Sequence, residues 1–264
     1  MKRDFDTVIF GCTAFGMGLC ARDPENTLIL EASSFFGGEF TEALRECGPV
    51  RRPEGEAAAF YDECVARGVT DEKAAERGEI HLPAVNVILN RIALEKKMRI
   101  LFSARVIDAL KEGDGVRVRA VCRAQILTFF CRRVIDTRPD DFARVRAFDP
   151  GAKFALSANL YAPFLPSDRF GEMRVRRGYL EKEAYLTMPV AFPCEGDREK
   201  LLIAFAARPE EWREVKLLHT AQTYAVSSRL IREENETGVY LPGCAFSDPF
   251  SAFAAGLCGE EALK

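Results

Sequence analysis

Short apolar runs alternate with amphipathic stretches at the start of the chain. Residues 5–10 (FDTVIF) read as a buried strand, the small-residue turn GCTAFG follows, and helical spacing continues to about Arg22. After the break at Asp23-Pro24, TLILE (27–31) is a second apolar run ended by an acid, the pattern of a parallel strand covered on both faces. Strand, tight turn, helix and strand in this order predict a βαβ unit with a right-handed crossover.

Farther along, residues 39–80 repeat apolar positions at helical spacing around the Arg51-Arg52-Pro53 break, which predicts helices inserted outside the sheet. PAVNVILNRIALEKK (83–97) predicts a longer helix with proline in its first turn, where the missing N–H costs little. The stretches MRILFSARVIDALKE, GVRVRAVCR and QILTFFCRRVIDT are rich in β-branched and aromatic residues and predict strands, the first two joined by a hairpin turn at Gly113-Asp114-Gly115. FALSANLYA, EMRVRRGYLEKEAYLTMPVAF and LLIAFAA predict a separate antiparallel sheet within 151–209, and a helix is expected over 212–232. GVYLPG (238–243) is a last short strand, and Asp248-Pro249 supplies an N-cap and an N1 proline for a terminal helix.

Composition narrows the function. With 48% hydrophobic and 29% charged residues the chain reads as a soluble globular protein. A formal net charge of -3 gives no electrostatic reason to expect nucleic acid or anionic membrane as a partner. No apolar run approaches the ~20 residues that span a bilayer. The opening MKRDFDTVIF carries Asp4 and Asp6 ahead of a very short apolar stretch, unlike a signal peptide, so a cytoplasmic location is expected. Nine cysteines form no CxxC pair, and His81 and His219 are the only imidazoles, so no metal site is expected and chemistry must lean on a cofactor. The sequence singles out no catalytic acid or base.

A pyrophosphate needs backbone N–H donors at close range, and the first turn of a βαβ unit supplies them by combining glycines with a helix N-terminus. Gly11 and Gly16 suit that role, with Thr13 where a second glycine is usual. Glu31 ends the second strand, where a carboxylate can accept both hydroxyls of a ribose, and Gly37-Gly38 follows. Cys12 and Cys244 are expected in loops at helix N-termini, where a thiolate is stabilised, although as small fillers they need no redox role.

TVIFGCTAFGMGLCA with LILEASSFFGGEFTEAL resembles the amino end of FAD-dependent oxidoreductases of the glutathione-reductase-like group. VIDT (134–137) is similar to that family's middle strand, and GVYLPGCAFSDPFSAFAAGLCGEEAL to its last strand and helix. The resemblance implies an α/β fold: a Rossmann-like FAD/NAD(P)-binding core from residues 1–45, 80–140 and 236–264, and a mainly antiparallel substrate domain from 46–79 and 141–235. It implies FAD as cofactor and a small-molecule substrate oxidised or reduced through the flavin. Gly11, Thr13, Gly16 and Glu31 would contact the ADP part, Gly37 and Gly38 the neighbouring phosphate or flavin edge, and Gly243 and Cys244 the ribityl chain. Cys244 stands where the family places an Asp, and Arg138-Pro139 replaces its middle glycine motif. Two alternatives stay open: a cofactor-free relative that binds another ligand or partner, and a nicotinamide-dependent enzyme that uses Glu31 on the ribose.

Overall fold

The computed structural model describes residues 4–263; residues 1–3 and 264, at the outer ends of the expected core segments, lie outside them. The βαβ unit consists of β1 (Phe5–Phe10), α1 (Ala14–Arg22) and β2 (Thr27–Leu30). Four helices follow, α2 (Gly38–Thr41), α3 (Ala58–Ala66), α4 (Glu72–Ala75) and α5 (Leu82–Glu95), and then β3 (Arg99–Leu101), β4 (Ala104–Glu112), β5 (Gly115–Cys122) and β6 (Gln125–Asp136). The next segment holds α6 (Phe142–Phe148), β7 (Lys153–Tyr161), β8 (Arg169–Phe170), β9 (Met173–Arg177), β10 (Glu183–Val190), α7 (Asp197–Ala206), β11 (Lys216–Thr220) and β12 (Ala225–Ser227). The chain returns through β13 (Glu233–Asn235) and β14 (Gly238–Tyr240) to α8 (Pro249–Cys258).

Parallel pairing orders the first sheet β14-β6-β1-β2-β3, with β13 antiparallel at the edge. Strand β6 serves two purposes: residues 125–131 pair antiparallel with β5, and residues 131–136 run parallel to β1. The β4-β5-β6 meander thereby folds over one face of the parallel sheet. There Val8, Phe10, Leu28 and Leu30 pack with Ala104, Val116, Val118 and Ala120. Ile9 and Ile29 point to the other face, under Phe15, Met17 and Phe253 of α1 and α8. Both faces are covered, which is why the second half of β1 (Val8–Phe10) and β2 read as apolar runs. The second sheet, β11-β7-β10-β9-β8 with β12 also on β7, is antiparallel throughout. The fold is thus α/β, a Rossmann-like core with a second, antiparallel sheet.

Two expected elements are exchanged. LLIAFAA lies within helix α7, where Leu201 and Phe205 are buried one turn apart while Leu202 and Ile203 face out. An apolar run of that length fits strand or helix equally, and here the preceding acids Asp197 and Glu199 in the first turn favour helix. The helix expected over 212–232 is absent: Trp212 ends a single 3-10 turn and β11 and β12 occupy the stretch, paired with the two ends of β7. Tertiary pairing to β7 outweighs the local helical pattern.

Candidate functional site

At the carboxyl end of β1 the turn is held by a relay of hydroxyls. Thr13 caps α1: its Oγ1 accepts from the Gly16 N–H at 2.9 Å, and its own proton goes to Thr137 Oγ1 at 2.8 Å. Thr137 in turn donates to the carbonyls of Phe10 and Gly11 at 3.0 and 3.1 Å. A side chain at position 13 is therefore part of the turn, which joins β1 to the end of β6. Gly11 has φ +93°, and a Cβ there would lie 2.7 Å from Cγ of Arg138; a Cβ on Gly16 would lie 2.8 Å from the Gly11 carbonyl. Arg138 itself is bound twice by Asp136, at 2.8 Å each, and stacks over the Phe10 ring. Replacing Thr13 by Ala should cost about 1 kcal/mol through the lost cap, read as a lower urea midpoint with unchanged slope.

Two carboxylates converge on the same turn. Glu31 leaves β2 with one oxygen accepting from the Cys12 N–H and the other from the Ser33 N–H, both at 2.7 Å. Glu39, one residue beyond Gly37-Gly38, accepts from the Ala14 N–H at 2.7 Å through Oε1, while its Oε2 is buried with no hydrogen-bond partner. Burial pushes the Glu39 carboxyl up to about 8, the Ala14 N–H bond pulling it only partly back. At neutral pH it is an uncharged acid at the start of α1. Gly37, with φ +62°, turns the chain to bring Glu39 there and donates its N–H to the Cys12 carbonyl at 2.7 Å. Gly38 follows as the first residue of α2.

The carboxyl-terminal segment closes over this point. Leu241 and Gly243 donate their N–H groups to the carbonyls of Asp136 and Thr137, and a Cβ on Gly243 would meet Glu39 Oε1 at 3.3 Å. Cys244 is buried with its sulfur 3.1 Å from Ser228 Oγ. Asp248 caps α8, accepting from Ser251 N at 2.8 Å. Cys12 and Cys244 stand as buried thiols, the filler role expected of them. Burial raises the Cys12 and Cys244 thiols, and Glu31 and Glu39 add to the effect at Cys12, so desolvation outweighs the helix N-termini.

Of the eight residues expected from the sequence, Gly11, Thr13, Gly16, Glu31, Gly37 and Gly243 are linked by the hydrogen bonds and close contacts above, whereas Gly38 opens α2 and Cys244 meets Ser228. Sequence reasoning missed Glu39 and Thr137. Glu39 had one readable signal, a charged residue directly after the paired glycines; Thr137 had none, since its role depends on β6 ending beside β1.

The imidazoles stand elsewhere. His81, at the N-terminus of α5, lies 2.6 Å from Glu183 Oε1 on β10, which also accepts from Tyr185 Oη at 2.6 Å and from Asn159 Nδ2 at 3.3 Å. Burial works against the Glu183 charge, but the bonds from His81 and Tyr185 outweigh it and hold the carboxyl below its usual range. This cluster pins α5 to the second sheet, Tyr185 also receiving the Leu82 N–H. Tyr185→Phe should cost about 1.5–3 kcal/mol, since it removes a bond to a buried charge, and a fall in melting temperature checks it. His219 sits exposed on β11, and Trp212 is buried against Phe170. Among the described residues no cluster has the composition of a metal site, and no helix is long and apolar enough to cross a membrane.

No family model and no curated protein matches the sequence. Its structure is similar to several solved ones. BexE, studied for oxidation in the biosynthesis of BE-7585A, shares 14% identity at a TM-score of 0.61, over 96% of this chain and 60% of its own. Aklavinone-11 hydroxylase, solved with FAD and aklavinone, shares 13% at 0.57, over 97% and 61%. p-Nitrophenol 4-monooxygenase of Pseudomonas putida shares 12% at 0.58, over 100% and 79%. The likeness in fold is to flavin-dependent hydroxylases and monooxygenases rather than specifically to the glutathione-reductase group, and the chain spans about 60% of the length of the first two.

Proposed function

We propose that the chain is a FAD-dependent oxidoreductase acting on a small molecule. The observation that carries this reading is the meeting of three loops, after β1, after β2 and before α8, around the carboxyl of Glu39, whose Oε1 they contact and whose Oε2 is buried without a partner. Gly11, Thr13, Gly16 and Glu31 would hold the ADP part, Gly37 and Gly38 the neighbouring phosphate or flavin edge, and Gly243 and Cys244 the ribityl chain. Residues 1–45, 80–140 and 236–264 would form this core, with 46–79 and 141–235 covering the substrate.

These residues fit the group on one condition. The Ala14 N–H, the natural phosphate donor at the start of α1, is held by Glu39, so Glu39 must release it. Being neutral below about pH 8, Glu39 neither repels a pyrophosphate nor loses a salt bridge on turning, and its O–H can donate to the incoming oxygen. When bound, the flavin supplies hydride or electron transfer. The chain would position it: Glu31 would accept ribose hydroxyls at the end of β2, and Cys244 would stand, as a buried thiol, beside the ribityl chain. Added FAD should raise the melting temperature, the gain reaching about 2.7 kcal/mol at a hundredfold excess over Kd.

One observation favours a second reading, a cofactor-free relative that binds another ligand: Thr13 and Glu39 already satisfy the Gly16 and Ala14 donors. A melting temperature indifferent to FAD would decide for it.

A further inference from the structure

The strongest unexplained feature outside the turn is Arg45. Only 7% exposed, its guanidinium makes no hydrogen bond and no ion pair among the described residues, and Nη1 is buried without a partner. It lies over the Phe40 ring, 5.1 Å from the centroid. The acids near it are otherwise engaged. Asp248 caps α8 and accepts from Ser247, while Glu46 accepts from Thr187 and pairs with Arg176. Glu39 is neutral below about pH 8. Asp248 acts on Arg45 only at a distance, and a buried cation without a hydrogen-bonded counter-ion is costly, its usual resolution being an anion.

Arg45 lines a cavity of about 310 Å³ between the segment after α2 and the face of the second sheet. Lys153 and Arg174, both exposed and without ion pairs among the described residues, also line it, with Glu46, which is paired to Arg176, as its one carboxylate. Its floor carries the small side chains of Ala155 and Ala225, with hydroxyls from Ser157 and Thr187, while Phe154 and Val226 turn to the other face of the sheet. The size suits a small organic ligand.

We propose that this cavity binds an organic carboxylate, its charged head on Arg45 and its apolar body against β7 and β12. A planar guanidinium matches a carboxylate edge on. A monoanion neutralises the one buried cation, whereas a phosphate dianion would bring an extra charge into the same buried space. That the ligand is the substrate rests on the flavin reading; that the cavity takes a carboxylate does not.

The test is titration of the purified protein, with and without FAD, by benzoate, benzamide and inorganic phosphate, followed by calorimetry and melting temperature. Benzoate should bind saturably and benzamide, the neutral counterpart, at least tenfold more weakly. Arg45→Met, which keeps an apolar stem and removes the unpaired charge, should remain folded and lose at least tenfold in benzoate affinity. Ala155→Phe, which fills the cavity floor, should abolish binding and serves if the first variant does not fold. Equal binding of benzamide, phosphate preferred to benzoate, or benzoate binding untouched by both variants would overturn the proposal. Benzoate binding in a protein that ignores FAD would leave the carboxylate site standing and remove the redox role.

Discussion

Glu39→Gln should make the protein more stable at alkaline pH and leave it unchanged in acid. The carboxyl ionises near 4.5 when unfolded and at about 8 when folded. Below 4.5 both states hold the proton and burial carries no penalty. Between 4.5 and 8 the unfolded chain releases it while the native one does not, so native stability falls as pH rises; above 8 the loss is complete. The full penalty is roughly 5 kcal/mol, because each tenfold weakening of a carboxylic acid on folding is worth about 1.4 kcal/mol. Glutamine keeps the acceptor for Ala14 N–H and has no proton to lose. Urea unfolding of both proteins from pH 4 to 9 should give curves that diverge between 4.5 and 8 and run parallel above; coincident curves would show that Glu39 is not buried in this form. The same proton governs ligand binding. If FAD binds only the neutral acid, its apparent Kd rises about tenfold for each pH step of one above pH 8, and in Glu39→Gln it should not.

Gly256→Val should cost about 3 kcal/mol or more. Helices α1 and α8 approach so closely that a Cβ on Gly256 would lie 2.3 Å from the Phe15 carbonyl, and one on Gly18 2.2 Å from the Phe253 carbonyl. The atoms met are backbone, so no rotamer change relieves them. The helices must separate, and α8 then carries the Gly243 loop away from the α1 turn. Chemical denaturation measures the cost. A variant of native stability would mean that the two helices are not packed glycine to glycine.

Where an element buries both faces, its sequence announced it. β1 and β2 stand out because the meander covers Val8 and Phe10 while α1 and α8 cover Ile9. Of the two caps, Asp248 was legible in the sequence, whereas Thr13 reads as a misplaced glycine until its cap of α1 and Thr137 beside it are seen. The exchange of helix and strand between 197–206 and 212–232 arose because β11 and β12 exist through their partner β7, more than fifty residues earlier in the chain, not through their own pattern. Glu39 and Arg45 were hidden for the same reason. A charged residue in an amphipathic stretch reads as solvated, and only tertiary packing around α2 and the segment after it buries both. The likeness to flavin-dependent hydroxylases is one of fold, so the cofactor has to be argued from the turn itself.

The most direct measurement is the visible spectrum of the purified protein after incubation with excess FAD at pH 6.5 and removal of unbound cofactor. A retained flavin spectrum that bleaches under a reductant, and is lost when the same protein is brought to pH 9.5, is the result expected if Glu39 yields Ala14 to the cofactor as a neutral acid. A colourless protein at pH 6.5, with a melting temperature that ignores FAD, would contradict it and leave the turn permanently closed by its own side chains.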